Sequence, residues 1–276
     1  MRTGAHIWIG KGLDETIKII DYLECDCFQI FLHNPRSWER KKRNKKEVVK
    51  FKKEIKKRKI FPFVIHMPYL LNLSSSDKKI FKRSVNLFER EIEEAEEYSA
   101  DYYVIHPGSN PDRKKGIKNL CGVLKNFKSR KIKILVENTS GSGNHLCGNL
   151  DEFKYILEKV ENTYFCFDTA HAFQYGYKLN SKSGFNEMVE KIEKNSLLNY
   201  ILLIHANDSL TKLGSKIDRH QHIGKGYIGI KGFELLIRHK YFGNLPYIIE
   251  TPKETIEQDK RNLKLLRQIG VKYGKI

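Results

Sequence analysis

A chain of 276 residues with 40% apolar content, 15 Phe and 14 Tyr is long enough for one large α/β barrel and too rich in core-forming residues for a disordered protein. Lys and Arg (51) outnumber Asp and Glu (33), a formal net charge of +18 that favours polyanionic partners, nucleic acid first and an anionic membrane surface second. The sequence contains no apolar run of about 18 residues, which excludes a membrane-spanning helix.

Lysine enrichment also accompanies heat adaptation, so charge alone fixes no partner. The opening stretch MRTGAHIWIGKGLDE lacks the apolar core and cleavage site of a secretory signal. Cys25, Cys27, Cys121, Cys147 and Cys166 form no C-x-x-C unit, and the tight CDC at 25–27 reads as core packing. A reduced, cytoplasmic protein is expected, holding any metal through nitrogen and oxygen.

Short apolar, β-branched or aromatic runs recur along the chain: GAHIWI (4–9), CFQIFL (27–32), FPFVIHM (61–67), YYVIHPG (102–108), KILVENT (133–139), YFCFDTA (164–170), YILLIHAND (200–208) and PYIIETP (246–252). Amphipathic segments lie between them. LDETIKIIDYLE follows the first run, and KKEVVKFKKEIKKRK follows the second. SSDKKIFKRSVNLFEREIEEAEEYSA follows the third and opens on Ser/Asp cap candidates. The lysine cluster at 41–59 is interleaved with Val48, Val49, Phe51 and Ile55, as on the solvated face of a helix. Eight near-continuous apolar strands alternating with helices predict a parallel sheet, closed as a single (β/α)₈ TIM barrel over residues 1–276.

Six of the eight runs end in a group that binds metal or moves a proton: His66, His106, Glu137, Asp168, His205 and Glu250. In a barrel those strand ends open onto one face, where active sites are built. A lone strand-end histidine is usually a satisfied core imidazole, but ordinary packing gives no reason for six such groups on one rim. FDTAHAF adds His171, three residues after Asp168, and DRH adds Asp218 and His220, which point the same way if that segment is extended. Nine nitrogen and oxygen ligands exceed one tetrahedral ion and suit a cluster of two or three, zinc first, with manganese or iron also compatible. Beside a basic surface such a cluster points to phosphoryl chemistry, with a shared hydroxide as nucleophile. In KIDRHQHIGKGYIG, residues 216–229, the glycines Gly224, Gly226 and Gly229 would then let backbone approach an anion.

HPGS (106–109), ENTSGSG (137–143), FDTAHAFQYGY (167–177), HAND (205–208), DRHQHIGKGYIG (218–229) and IETP (249–252) together resemble endonuclease IV, a family of metal-dependent apurinic/apyrimidinic endonucleases of DNA base-excision repair. GAHI near the start and CFQIFLHNPRSW (27–38) extend the resemblance over essentially the whole chain. It implies three zinc ions. One would sit on His66, His106 and Glu137. Glu137 would bridge to a second that also takes Asp168, His205 and Glu250, and the third would sit on His171, Asp218 and His220. Glu137, Asp168 and Glu250 would be the catalytic carboxylates.

The implied reaction hydrolyses the phosphodiester 5′ to an abasic site, leaving a 3′-hydroxyl and a 5′-deoxyribose phosphate through a metal-bound hydroxide, and also clears blocked 3′ ends. Double-stranded DNA would be the partner of a monomer that meets the nucleoid through that DNA. DNA contacts would fall to Asn34 and Arg36 in HNPRSW, Tyr69 and Leu70 in HMPYLLNL, and Arg219 and Lys225 in the glycine loop. An aromatic and an aliphatic wedge suit unstacking, and arginine suits a narrow minor groove. Four positions depart from the family pattern without removing a ligand: Trp8 where serine is typical, Leu210 where lysine is usual, Lys225 in GKG for GEG, and Cys147 in GSGNHLCG. Two rivals remain: a sugar isomerase or epimerase on a related barrel, which needs fewer ions, and a non-catalytic DNA-binding metal protein with closed structural sites.

Overall fold

In the computed structural model the eight apolar runs become eight parallel strands joined by helices; residues 1–40, 43–127 and 130–275 are described. In chain order the elements are β1 (Arg2–His6), α1 (Leu13–Leu23), β2 (Cys27–Ile30), α2 (Lys45–Lys57), β3 (Phe63–His66), α3 (Lys78–Glu97), β4 (Tyr102–Ile105), α4 (Arg113–Lys125), β5 (Lys133–Glu137) and α5 (Leu150–Lys159). Then come β6 (Thr163–Asp168), α6 (Thr169–Tyr175), α7 (Lys182–Lys194), β7 (Ile201–His205), β8 (Asp208–Ser209), β9 (His220–Gln221), α8 (Gly229–Arg238), β10 (Pro246–Ile249) and α9 (Ile256–Lys272). The sheet closes: β1 pairs with β2 on one side and β10 on the other, and β10 pairs with β7. β8 and β9 form a separate antiparallel hairpin that the apolar pattern did not announce, because it is two residues long on each side. Among the described residues no helix is long and apolar enough to cross a membrane.

Strand alternation divides the apolar residues into two layers. Cys27, Val64, Tyr102, Val104, Leu135, Cys166, Leu203 and Ile248 pack together inside the barrel. Their neighbours along the strands, such as Phe28, Phe63, Ile65, Tyr103 and Phe167, join the larger core between strands and helices. Short polar side chains start the helices. Asp77, from the expected Ser/Asp caps, accepts from Lys79 N and Ile80 N, and Asn44 accepts from Lys46 N. On α2 only Phe51 and Ile55 are buried, whereas Val49 is exposed and the lysines face solvent. Positions 41–42 of that lysine cluster lie outside the described residues. All five cysteines are free and buried.

Candidate metal centre

The interior layer sets the site by simple counting. Two residues beyond an inward-facing position, the next side chain on the same face stands one layer nearer the C-terminal rim. From Val64, Val104, Leu135, Cys166, Leu203 and Ile248 that offset reaches His66, His106, Glu137, Asp168, His205 and Glu250. The same step from Gly4 and Cys27 reaches His6 and Gln29. These last two complete the ring and were missed in the sequence. His6 ends β1 as His66 ends β3, and Gln29 is the lone polar residue of β2.

Glu137 is fully buried at the middle of this ring, and its two oxygens face different partners. Oε2 lies 3.2 Å from His66 Nε2 and 3.4 Å from His106 Nε2. Oε1 lies 3.0 Å from His205 Nδ1 and 3.3 Å from His171 Nδ1. His205 Nδ1 is also 3.2 Å from Glu250 Oε2. Asp168 ends β6 and caps α6, accepting from His171 N at 2.6 Å, which seats His171 one turn into the helix. His220, carried by β9, places Nε2 3.4 Å from His171 Nε2 and 3.7 Å from Asp168 Oδ2.

Three sets of ligand atoms are thus each gathered within 4.8 Å: His66, His106 and Glu137; Glu137, Asp168, His205 and Glu250; and Asp168, His171 and His220. Asp218 joins the third from an irregular loop rather than an extended strand, its Oδ1 3.2 Å from His171 Nε2 and 3.6 Å from His220 Nε2. All nine expected residues therefore lie together: six of them line one opening of about 340 Å³ with Tyr69, Arg219 and Pro252, while Glu137, Asp168 and His205 are fully buried.

Surrounding groups engage one nitrogen of each of four rings. His66 Nδ1 donates to Met67 O at 2.8 Å, His171 Nδ1 to Asn138 O at 2.9 Å and His220 Nδ1 to Glu250 O at 3.2 Å. His205 Nε2 donates to Gln29 Oε1 at 2.9 Å, while the Gln29 amide donates to Glu250 Oε1 at 2.6 Å and to His6 Nδ1 at 2.9 Å. Asn207 Nδ2 donates to Asp168 Oδ2 at 2.6 Å. Each ring so fixed presents its other nitrogen to an acidic group or a facing ring, His171 turning Nε2 to Asp218 while its Nδ1 is shared between Asn138 O and Glu137, the arrangement that orients metal-ligating histidines.

The electrostatics call for compensating positive charge. Burial works against charge on Glu137, yet the imidazoles of His205 and His106 hold its carboxyl well below the usual range. Burial likewise opposes the charged rings of His171 and His205; Asp168 and Asp218 outweigh it at the first, and Cys166, Glu250 and Glu137 at the second, so both are raised. Burial lifts Asp168 and drops His106 to about 4. Carboxylates gathered away from water are stable only with compensating positive charge, and the donor set fits zinc or a similar divalent ion held by nitrogen and oxygen.

The glycine loop corrects one sequence expectation. Its anion is part of the protein. Buried Asp208 accepts from Gly224 N at 2.9 Å, Gly226 N at 3.0 Å, Ile228 N at 2.9 Å, Gly229 N at 3.2 Å and Ser209 N at 2.8 Å. A Cβ at Gly226 would lie 2.3 Å from Ser209 O and 2.5 Å from Asp208 Oδ1, so only glycine fits there. The loop's N–H groups are spent on holding it to β8, and Lys225 stands exposed beyond it, outside the lining of the opening.

Of the other expected DNA contacts, Asn34 and Arg36 are exposed, with Asn34 Oδ1 accepting from Arg36 N at 3.0 Å. Tyr69 is 60% exposed at the mouth, Leu70 is half-buried against the core, and Arg219 is exposed.

Comparison with known proteins agrees with this barrel. A family model described as a xylose isomerase-like TIM barrel matches residues 17–269. A "Probable endonuclease 4" of Aquifex aeolicus is 38% identical over 274 residues, covering 96% of both chains. The chain belongs to the endonuclease IV family. The crystal structure of endonuclease IV from Thermus thermophilus superposes with a TM-score of 0.88 at 28% identity, covering 99% of this chain and 100% of that one. A D-tagatose 3-epimerase-like protein aligns at a TM-score of 0.74 and 21% identity over 99% of this chain and 98% of its own, which shows a common barrel and no more.

Removing the Asp208 carboxylate strands the N–H groups of Ser209, Gly224, Gly226, Ile228 and Gly229. Asp208→Ala is expected to lower stability by about 3 kcal/mol or more, at roughly 1–3 kcal/mol for each buried group left unmade, and to speed amide exchange at Gly224, Gly226 and Ile228. Unchanged thermal midpoint and unchanged protection would contradict the loop-holding role.

Proposed function

We propose that the protein is an apurinic/apyrimidinic endonuclease that hydrolyses the DNA phosphodiester 5′ to an abasic site, leaving a 3′-hydroxyl and a 5′-deoxyribose phosphate, and that it also trims blocked 3′ ends. The observation that carries this reading is the division of buried Glu137, one oxygen toward His66 and His106 and the other toward His205 and His171, with His66, His106 and His171 lining an open site. A bridging carboxylate between two adjacent ions needs that division. Kinship with endonuclease IV proteins and the net charge of +18 support DNA as the substrate.

Three zinc ions fit the donor set: one on His66, His106 and Glu137, a second on Glu137, Asp168, His205 and Glu250, and a third on His171, Asp218 and His220, with Asp168 close to the third as well. Bound there, they would supply Lewis-acid polarisation of the phosphate and an activated water at neutral pH. The chain's own groups do the rest. Gln29 and Asn207 hold the carboxylates of Glu250 and Asp168 in one orientation, so the centre need not rearrange during the reaction. Tyr69, exposed beside the opening, supplies a ring to fill the gap in the base stack, with Leu70 behind it. Asn34, Arg36 and Arg219 reach toward the backbone, and Lys225 adds charge at longer range. Damage is selected because a nucleotide without a base costs least to displace.

A synthetic duplex with one abasic site is expected to be cut only on the 5′ side of the lesion. Chelation should abolish cutting and added zinc restore it. Full activity in a preparation verified metal-free would defeat the reading, and retained binding with no incision would leave a non-catalytic DNA-binding protein. Gln29→Leu, which strips His205 and Glu250 of their shared partner, should lower zinc affinity roughly 10- to 100-fold, the usual range for such orienting groups. Competition with a coloured chelator reads this directly; an unchanged affinity would mean Gln29 does not orient the ligands.

A further inference from the structure

Helix α9 buries Asp259, Asn262, Leu263, Leu266 and Ile269. The three apolar residues are what a helix covering a barrel needs. The two polar ones stand three residues apart and so share one side of the helix. A buried amide or carboxylate costs free energy unless its hydrogen bonds are met, so each must have partners that a leucine would leave unmet. Those partners lie on the segments that carry Glu250 and His220. Asn262 uses both ends of its amide. Its Oδ1 accepts from Ile223 N at 3.2 Å. Its Nδ2 donates to Thr251 Oγ1 at 2.9 Å and to His222 Nδ1 at 3.0 Å. Thr251 directly follows Glu250, while His222 and Ile223 come two and three residues after His220. Asp259 pairs with Lys253, whose Nζ also donates to His6 O at 3.0 Å. One helix face therefore fastens both the strand end of β10 and the loop after β9.

The ligands differ in how much they need such a clamp. His66, His106, Glu137, Asp168, His205 and Glu250 end or directly follow barrel strands, whose ladders fix them. His171 is seated by the Asp168 cap. Asp218 and His220 stand on an irregular loop and a two-residue strand. Asp208 holds that region from Gly224 onward, and Asn262 holds the stretch before it. His220 Nδ1 donates to Glu250 O, so a slip of residues 222–223 against Thr251 would carry the His220 ring with it. Glu250 itself keeps its bonds to Gln29 and Asn207 whether or not Asn262 is present.

We propose that Asn262 is a positioning residue for the ion on His171, Asp218 and His220, its amide locking that ion's loop to the strand end that carries Glu250. The proposal rests on the multi-ion reading above and names the one ion that depends on α9. Asn262 acts through His222 and Ile223, so its loss is felt at that ion and not at the other two.

The test counts zinc per chain by elemental analysis after equilibration with a chelator that sets the free zinc concentration. Asn262→Leu should lower the affinity for one ion roughly 10- to 100-fold, the range for orienting groups, so that two ions remain where the unaltered protein keeps three. In an Asp218→Ala background, already short of that ion, Asn262→Leu should release no other. Asn262→Asp should keep all three, because Thr251 O–H, His222 Nδ1–H and Ile223 N–H can each donate to a carboxylate. Leu266→Ala removes buried apolar bulk from the same helix; it should lower the thermal midpoint and still keep three ions. If Asn262→Leu does not fold, Thr251→Val makes the same test by removing one partner, with a smaller loss at the same ion. Unaltered affinity for all three ions, equal weakening of all three, release of a further ion in the Asp218→Ala background, loss of the ion in Asn262→Asp, or its loss in Leu266→Ala would overturn the proposal. If the unaltered protein never holds more than one ion, the multi-ion reading itself fails and this inference with it.

Discussion

One fully buried carboxylate governs this molecule. Glu137 is fully buried at the centre of the rim, and four imidazoles lie within 3.0–3.4 Å of its oxygens. A bare charge there would be strongly disfavoured, and every neighbour is arranged to supply or accept compensation. Backbone carbonyls, Gln29 and Asn207 occupy the outward sides of the rings and carboxylates, so the inward sides have one preferred aim. The barrel makes this possible, since the ends of its strands meet around one rim, to which α6, β9 and the loop before it add His171, His220 and Asp218.

The same logic appears a second time in the β7–α8 region, with opposite chemistry. Asp208 is a buried carboxylate answered by backbone N–H groups rather than by imidazoles. It fastens the glycine loop to β8, and β8 pairs with β9 through Ser209 and His220. The pin that holds the glycine loop thus adjoins the strand pair that carries His220 to the centre. Lys225, at the outer edge of that loop, is exposed and does not line the opening.

Much of this was legible in the sequence because two periodicities coincide. An apolar run followed by a ligand-type residue, repeated at six strand ends, is visible without any structure, and closure of the barrel turns that repetition into proximity. His6 and Gln29 obey the same two-residue offset and were overlooked for one reason: each sits inside its apolar run, GAHIWI or CFQIFL, rather than at its end. The hairpin of β8 and β9 carries too few residues to leave a pattern. The role of Asp208 was hidden because its partners are backbone groups, which no residue type advertises. The glycines of the loop do allow close approach to an anion, as their spacing suggested, but that anion is the side chain of Asp208 rather than a bound phosphate.

If the nine side chains form a centre for several ions rather than one, elemental analysis of protein purified without added chelator measures it most directly. Three divalent metal ions per chain are the predicted result. A single ion, or none recoverable after incubation with zinc, would contradict it.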